Sequence, residues 1–143
     1  PGLAGYRVLK YCDRMDLALA VADLALSRAG TSTVAELEAL GIPAVFVPYA
    51  AGNGEQRLNA GGAVAAGGAV MVSDAAFTAR WVATTLVALL RSRATIAEMA
   101  ARMATIGTLD GTDRMIALID AAIAAGPRRA KGTKRAKGAK RAK

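Results

Sequence analysis

Short apolar runs alternate along the chain with longer stretches whose apolar positions recur at helical spacing. Tyr6–Tyr11, Leu24–Ser27, Pro43–Pro48 and Ala69–Val72 read as strands, the third bracketed by its two prolines. Met15–Ala22, Thr31–Leu40 and Gly54–Ala66 read as helices between them, and Thr78–Arg91, Ile96–Met103 and Asp113–Ala125 as amphipathic helices after them. Gly41 is placed to close the helix before it as its C-terminal glycine. Gly61 and Gly62 weaken the helix that contains them by about 1 kcal/mol each relative to alanine. Strands alternating with helices predict an α/β fold, a doubly wound Rossmann-like parallel sheet covered on both faces. In such folds ligands sit beyond the carboxyl ends of the strands, where helix N-termini point.

Composition removes several chemistries. The chain has 143 residues, no histidine and one cysteine. Without histidine there is no Ser-His-Asp triad and no imidazole base. Cys12 alone makes neither an internal disulfide nor a cysteine-cluster metal site, so neither metal nor cofactor is expected. No run of about 18 uncharged apolar residues occurs, which excludes a transmembrane helix by the hydropathy criterion. The first residues do not form a signal-peptide pattern, and a start without Met is expected of a piece of a longer protein. Met99, Met103, Met115 and Trp81 fall at helical spacings and are expected in the core.

Charge divides the chain. Residues 127–143 hold nine Lys and Arg and no acid, whereas residues 1–126 carry ten positives against 11 acids. The expected organisation is a folded domain over 1–126 and a disordered Lys/Arg-rich tail over 127–143. Pro127 stops the last helix, and a hexad repeats from Ala130 to Arg141.

Two strand-to-helix junctions stand out. In the first, Ser27 to Glu36, Gly30 is read as permitting a sharp turn and a close approach of backbone to ligand. The N–H groups of Thr31, Ser32 and Thr33, with the positive end of the helix dipole, make an anion site. The plainer reading is an ordinary helix start, because Thr33 and Glu36 have the S/T-x-x-E capping-box spacing. Glu36 is thus open to two roles, accepting the hydroxyls of a ribose or closing that box. In the second junction, Gly52-Asn53-Gly54 makes a turn, and Glu55, Gln56 and Asn59 follow on one helix start. They suit the hydroxyls and amide of a sugar, or simply a polar helix N-terminus. Two such junctions after neighbouring strands strengthen the ligand reading.

Taken in order, Tyr11-Cys-Asp-Arg-Met15, Asp23–Glu36, Gly41–Pro48 and Gly52–Ala60 resemble one family, the carboxyl-terminal half of the MurG peptidoglycan UDP-N-acetylglucosamine transferases, in an actinobacterial-like form. The resemblance covers about residues 6–125. It implies half of a two-domain GT-B-type enzyme, the half that binds UDP-N-acetylglucosamine, in which N-acetylglucosamine passes to lipid I to give lipid II by an inverting reaction. By that resemblance Cys12 offers its backbone to the uracil, with Tyr11 and Met15 lining the base pocket. Thr31, Ser32 and Thr33 hold the diphosphate after Gly30, Glu36 takes the ribose, Glu55 and Gln56 hold the N-acetylglucosamine, and Arg28 orders the loop. It also implies a peripheral place on the cytoplasmic face of the plasma membrane. The chain departs from the family pattern at Ala29, usually serine, and at Gly61-Gly62, and it lacks the amino-terminal acceptor half with the candidate base. No catalytic residue is therefore assigned, and this segment alone is expected to be inactive.

The basic tail suits anionic lipid headgroups, at roughly 1 kcal/mol per Lys or Arg near the surface. It equally suits nucleic-acid phosphates, or serves only solubility. Alternative functions are therefore a non-catalytic nucleic-acid-binding protein using the tail, and a UDP-sugar transferase with another acceptor.

Overall fold

The computed structural model describes residues 5–51 and 53–126. The tail expected over 127–143 lies outside the described residues. Three short strands, β1 (Ala25–Ser27), β2 (Ala44–Phe46) and β3 (Ala69–Met71), form a parallel sheet in the order β1-β2-β3. Ser27 is level with Phe46, and Phe46 with Met71, so the three carboxyl ends lie side by side.

The alternation of side chains along β2 sorts the core into two layers. Ala44 and Phe46 point to one face, into a cluster with Val34, Leu37, Ile42, Ala63 and Met103. Val45 and Val47 point to the other, with Val72 and Leu86 and the partly buried Phe77, Trp81 and Leu89. β2 is wholly buried, as a strand covered on both faces must be. The fold is the expected α/β class. Helices α2 (Thr31–Leu40), α4 (Gly61–Ala66) and α7 (Arg93–Ala104) supply the first layer. The second comes from α5 (Ala79–Trp81), which runs through a π-helical segment (Val82–Leu86) into α6 (Val87–Arg91). Met99 and Met103 are buried, and the Phe77 and Trp81 rings meet at 5.6 Å between centroids.

Helix α2 has the predicted span, and Gly41 closes it at φ 67°, where a side chain would be strained. α1 (Met15–Ala20) is shorter than expected. The helix expected over Gly54–Ala66 is instead two, α3 (Glu55–Asn59) and α4, with Ala60 between them. Gly61 opens α4, and a Cβ there would meet nothing within 4 Å. Gly61→Ala is therefore expected to raise stability by about 0.5–1 kcal/mol, read from the denaturation midpoint.

The strand expected over Tyr6–Tyr11 does not form. A strand needs a ladder partner, and among the described residues β1 pairs with β2 alone. The alternating residues of that segment stay in water, Tyr6 at 71% and Val8 at 78% exposure.

A second compact unit begins at Asp110. Its helix α8 (Gly111–Ala125) carries Met115, Ile116, Ile119 and Ile123 on one stripe, all exposed, so Met115 is not the core residue its spacing suggests.

Candidate functional site at the carboxyl ends of the strands

Parallel pairing brings three junctions to one edge of the sheet: Arg28-Ala29-Gly30 after β1, Val47-Pro48-Tyr49 after β2, and Val72-Ser73-Asp74 after β3. Arg28 ties them together. Its Nη1 donates to the carbonyls of Val47 at 3.1 Å and Pro48 at 3.4 Å and to the Asp74 carboxylate. The guanidinium also lies 5.7 Å from the centre of the Tyr49 ring. Its pairing with Asp74 is half exposed and worth little by itself. The bonds to loop carbonyls give the geometry.

Gln56 and Asn59, both on α3, complete the staple. Two N–H groups, from buried Ala29 at 3.2 Å and Tyr49 at 2.9 Å, converge on one Gln56 side-chain atom, which must therefore be its oxygen. Asn59 Nδ2 donates to the Ala29 carbonyl at 3.1 Å and to Thr31 Oγ1 at 3.2 Å. Ala29 thus has both its backbone groups fixed by α3. Gln56→Leu is expected to leave the Ala29 N–H unpaired and to cost about 1–3 kcal/mol of stability, measured by chemical denaturation. Gln56→Glu keeps the acceptor and should recover most of it.

This staple sets where α2 starts. Gly30 is the N-cap, with φ −65° and ψ 148°, an extended conformation open to any residue. The sharp turn read into Gly30 is not there, and a Cβ on it would meet only Thr33 Oγ1 at 4.0 Å. Thr33 lies inside the helix rather than at its cap, so the capping box with Glu36 does not form. The first helical bond is from Val34 N–H to the Gly30 carbonyl at 3.0 Å, and no side chain caps the turn. The N–H groups of Thr31, Ser32 and Thr33 therefore face out of the helix end with no acceptor among the described residues. A helix of ten residues aims its dipole there, and the hydroxyls of Thr31, Ser32 and Thr33 lie around it. Such a turn is chemically suited to an anion with several oxygens.

Glu36 is exposed one turn further on, without an ion pair among the described residues. Glu55 accepts from Asn53 Nδ2 at 2.8 Å, and its own N–H donates to Asn53 Oδ1. Tyr11 and Cys12 precede α1 and Met15 opens it; no hydrogen bond among the described residues ties them to the loops. Two shifted carboxyls lie away from this edge. Arg14 holds Asp16 below the usual carboxylate range, and partial burial raises Glu38.

Asp74 and Ser27 were not singled out in the sequence. Asp74 was within reach, since a third parallel strand delivers its own junction to the same edge. The buried Ser27 Oγ has no hydrogen-bond partner among the described residues, and Ser27 lines a small cavity of about 260 Å³ with Leu26, Arg28, Val47 and Phe77. A larger groove of about 590 Å³, lined by Asp23, Ile42, Pro43 and Arg93 among others, lies toward the amino ends of the strands, away from these loops.

A family model described as the glycosyltransferase family 28 C-terminal domain matches residues 2–115. The chain belongs to glycosyltransferase family 28. Among relatives of this family-28 domain is a UDP-N-acetylglucosamine–N-acetylmuramyl-(pentapeptide) pyrophosphoryl-undecaprenol N-acetylglucosamine transferase of Leifsonia xyli. It is 58% identical over 125 residues, which is 87% of this chain and 35% of the relative. The like-named protein of Clavibacter sepedonicus is 51% identical over 129 residues, 90% of this chain and 35% of that one. The crystal structure of Acinetobacter baumannii MurG superposes with a TM-score of 0.74 at 30% identity, covering 81% of this chain and 35% of that one. The family-28 chain thus spans about a third of the length of the relatives it matches.

Proposed function

We propose that this family-28 domain binds UDP-N-acetylglucosamine as the donor half of an inverting transferase that carries N-acetylglucosamine to lipid I, giving lipid II on the cytoplasmic face of the membrane. The observation that carries the reading is the uncapped start of α2. Its three free N–H groups stand beside a second loop locked to it by Gln56, in a chain whose relatives are named as N-acetylglucosamine transferases.

In this reading the Thr31–Thr33 amides and hydroxyls hold the diphosphate, and Gly30 admits it closely. Glu36 accepts the ribose hydroxyls. Tyr11, Cys12 and Met15 meet the uracil, Cys12 through its backbone. Glu55 takes sugar hydroxyls, and Gln56 donates from the amide nitrogen that the staple leaves over. Asn59 acts through Thr31, whose hydroxyl it holds, and Arg28 through the loop carbonyls it binds. An acceptor hydroxyl attacks the anomeric carbon as the bond to the diphosphate breaks. The leaving UDP keeps the electron pair, stabilised by amides already in place. The proton needs a base that this histidine-free chain does not offer in an obvious form.

Isothermal titration with UDP and UDP-N-acetylglucosamine tests the site, and saturable heat with both is expected. A transfer assay with a lipid I analogue tests the division of labour. No turnover is expected from this chain alone, and clear turnover would overturn the donor-half reading. Donor binding with turnover only on another acceptor, once a partner half is supplied, would assign a different transferase.

A further inference from the structure

We infer that Asp74 is a positioning residue of the donor site: it fixes Arg28, and through Arg28 the two junctions that meet the nucleotide sugar. The inference rests on the donor reading above and brings the junction after β3 into the site. In the order β1-β2-β3, β3 lies two strand spacings from β1, roughly 10 Å, so a long side chain is needed to join their ends. Arg28 reaches from the end of β1 to Asp74 and donates to the Val47 and Pro48 carbonyls as well. All three contacts fall on Nη1, whose two hydrogens are shared among three acceptors. Of these acceptors only Asp74 is charged, and charge-assisted hydrogen bonds are roughly twice as strong as neutral ones. Asp74 therefore decides where the guanidinium rests.

Asp74 is itself held. The Val72 N–H donates to the Phe46 carbonyl at 3.0 Å, which carries the ladder to the last residue before the turn. The Ser73 carbonyl then accepts from Ala76 and Phe77, both at 3.0 Å, and the Phe77 ring packs on Trp81. A carboxylate on so constrained a turn gives Arg28 a fixed endpoint. The pair is half exposed and adds little stability. Its effect is on direction. Arg28 keeps Pro48 and Tyr49 beside Ala29, where the Gln56 oxygen accepts from both loops. The Asp74 charge acts on a bound diphosphate with the opposite sign, by repulsion, and a Debye length of about 8 Å at physiological salt screens much of it. Loss of Asp74 therefore weakens UDP binding if the residue positions, and tightens it if only its charge matters.

The test is a double-mutant cycle on the full chain, read by isothermal titration with UDP at physiological salt. Asp74→Ala should weaken UDP binding about two- to fivefold, the range an exposed ion pair supplies, with little change in melting temperature. Arg28→Ala should weaken it about tenfold. Adding Asp74→Ala to Arg28→Ala should change nothing further, because residues that act as a unit are not additive. Asp74→Glu, which keeps the carboxylate, should restore most of the affinity. Equal losses from Asp74→Ala in both backgrounds would overturn the inference. So would tighter UDP binding, or a loss that Asp74→Glu does not reverse. A parent chain that takes up no UDP would defeat the donor reading instead, and amide exchange then decides the loop arrangement alone. Asp74→Ala should speed exchange of the Tyr49 N–H several-fold, and an unchanged rate would show that Asp74 positions nothing.

Discussion

Gly107→Ala is expected to destabilise the fold by about 3 kcal/mol or more, the upper range of overpacking costs. A Cβ at this position would lie 2.0 Å from the Glu38 carbonyl oxygen, 2.6 Å from its carbon and 3.0 Å from Ala39 Cα. These are backbone atoms near the end of α2, so no rotamer change relieves the clash. Either α2 moves or the segment after α7 lifts from it. Gly68→Ala tests the same layer from the other side, since its Cβ would lie 2.8 Å from Met103 Cα. Gly111→Ala is the control, because a Cβ there meets nothing within 4 Å. Urea denaturation of the three variants reads the effect. A midpoint for Gly107→Ala equal to that of the parent would mean that the contact between the end of α2 and the segment after α7 is wrong.

Glu36→Ala should cost about 1.5–3 kcal/mol of UDP binding, the range for hydrogen bonds to a charged group, or roughly ten- to over a hundredfold in Kd. Stability should not move. The cap of α2 is Gly30, no side chain closes that turn, and Glu36 is exposed. Calorimetry and thermal unfolding on the same variant separate the alternatives. A fall in melting temperature with UDP affinity intact would return Glu36 to a structural role and remove it from the proposed ribose site.

The spacing that makes Glu36 ambiguous shows how far the sequence is legible. Thr31–Leu40 reads correctly as a helix because its apolar positions and Gly41 agree. The strands read correctly for separate reasons: Pro43 and Pro48 bracket the β-branched run of β2, a glycine pair precedes β3, and β1 is a short apolar run closed by Arg28-Ala29-Gly30. The start of α2 is another matter. Three hydroxyl residues in a row offer three possible caps, and the S/T-x-x-E pattern selects the wrong one. The choice is made by Asn59 and Gln56, nearly 30 positions away, whose side chains hold both backbone groups of Ala29. Buried loop backbone must find partners, and local spacing does not disclose which side chains will meet that need. Tyr6–Tyr11 fails for a related reason. Its alternation is real, but a strand exists only beside another, and pairing is a property of the sheet. The convergence of the first two junctions was legible, because consecutive parallel strands deliver their carboxyl ends to one edge; the Arg28–Asp74 link across the third was not foreseen.

The central claim is that free main-chain N–H groups at the start of α2 hold the pyrophosphate of a uridine nucleotide. Amide NMR during a UDP titration of the full chain tests it directly. The resonances of Thr31, Ser32 and Thr33 should shift furthest and saturate together with the calorimetric heat. Saturable UDP binding that leaves those three amides in place, or a well-folded chain that takes up no UDP, would contradict it.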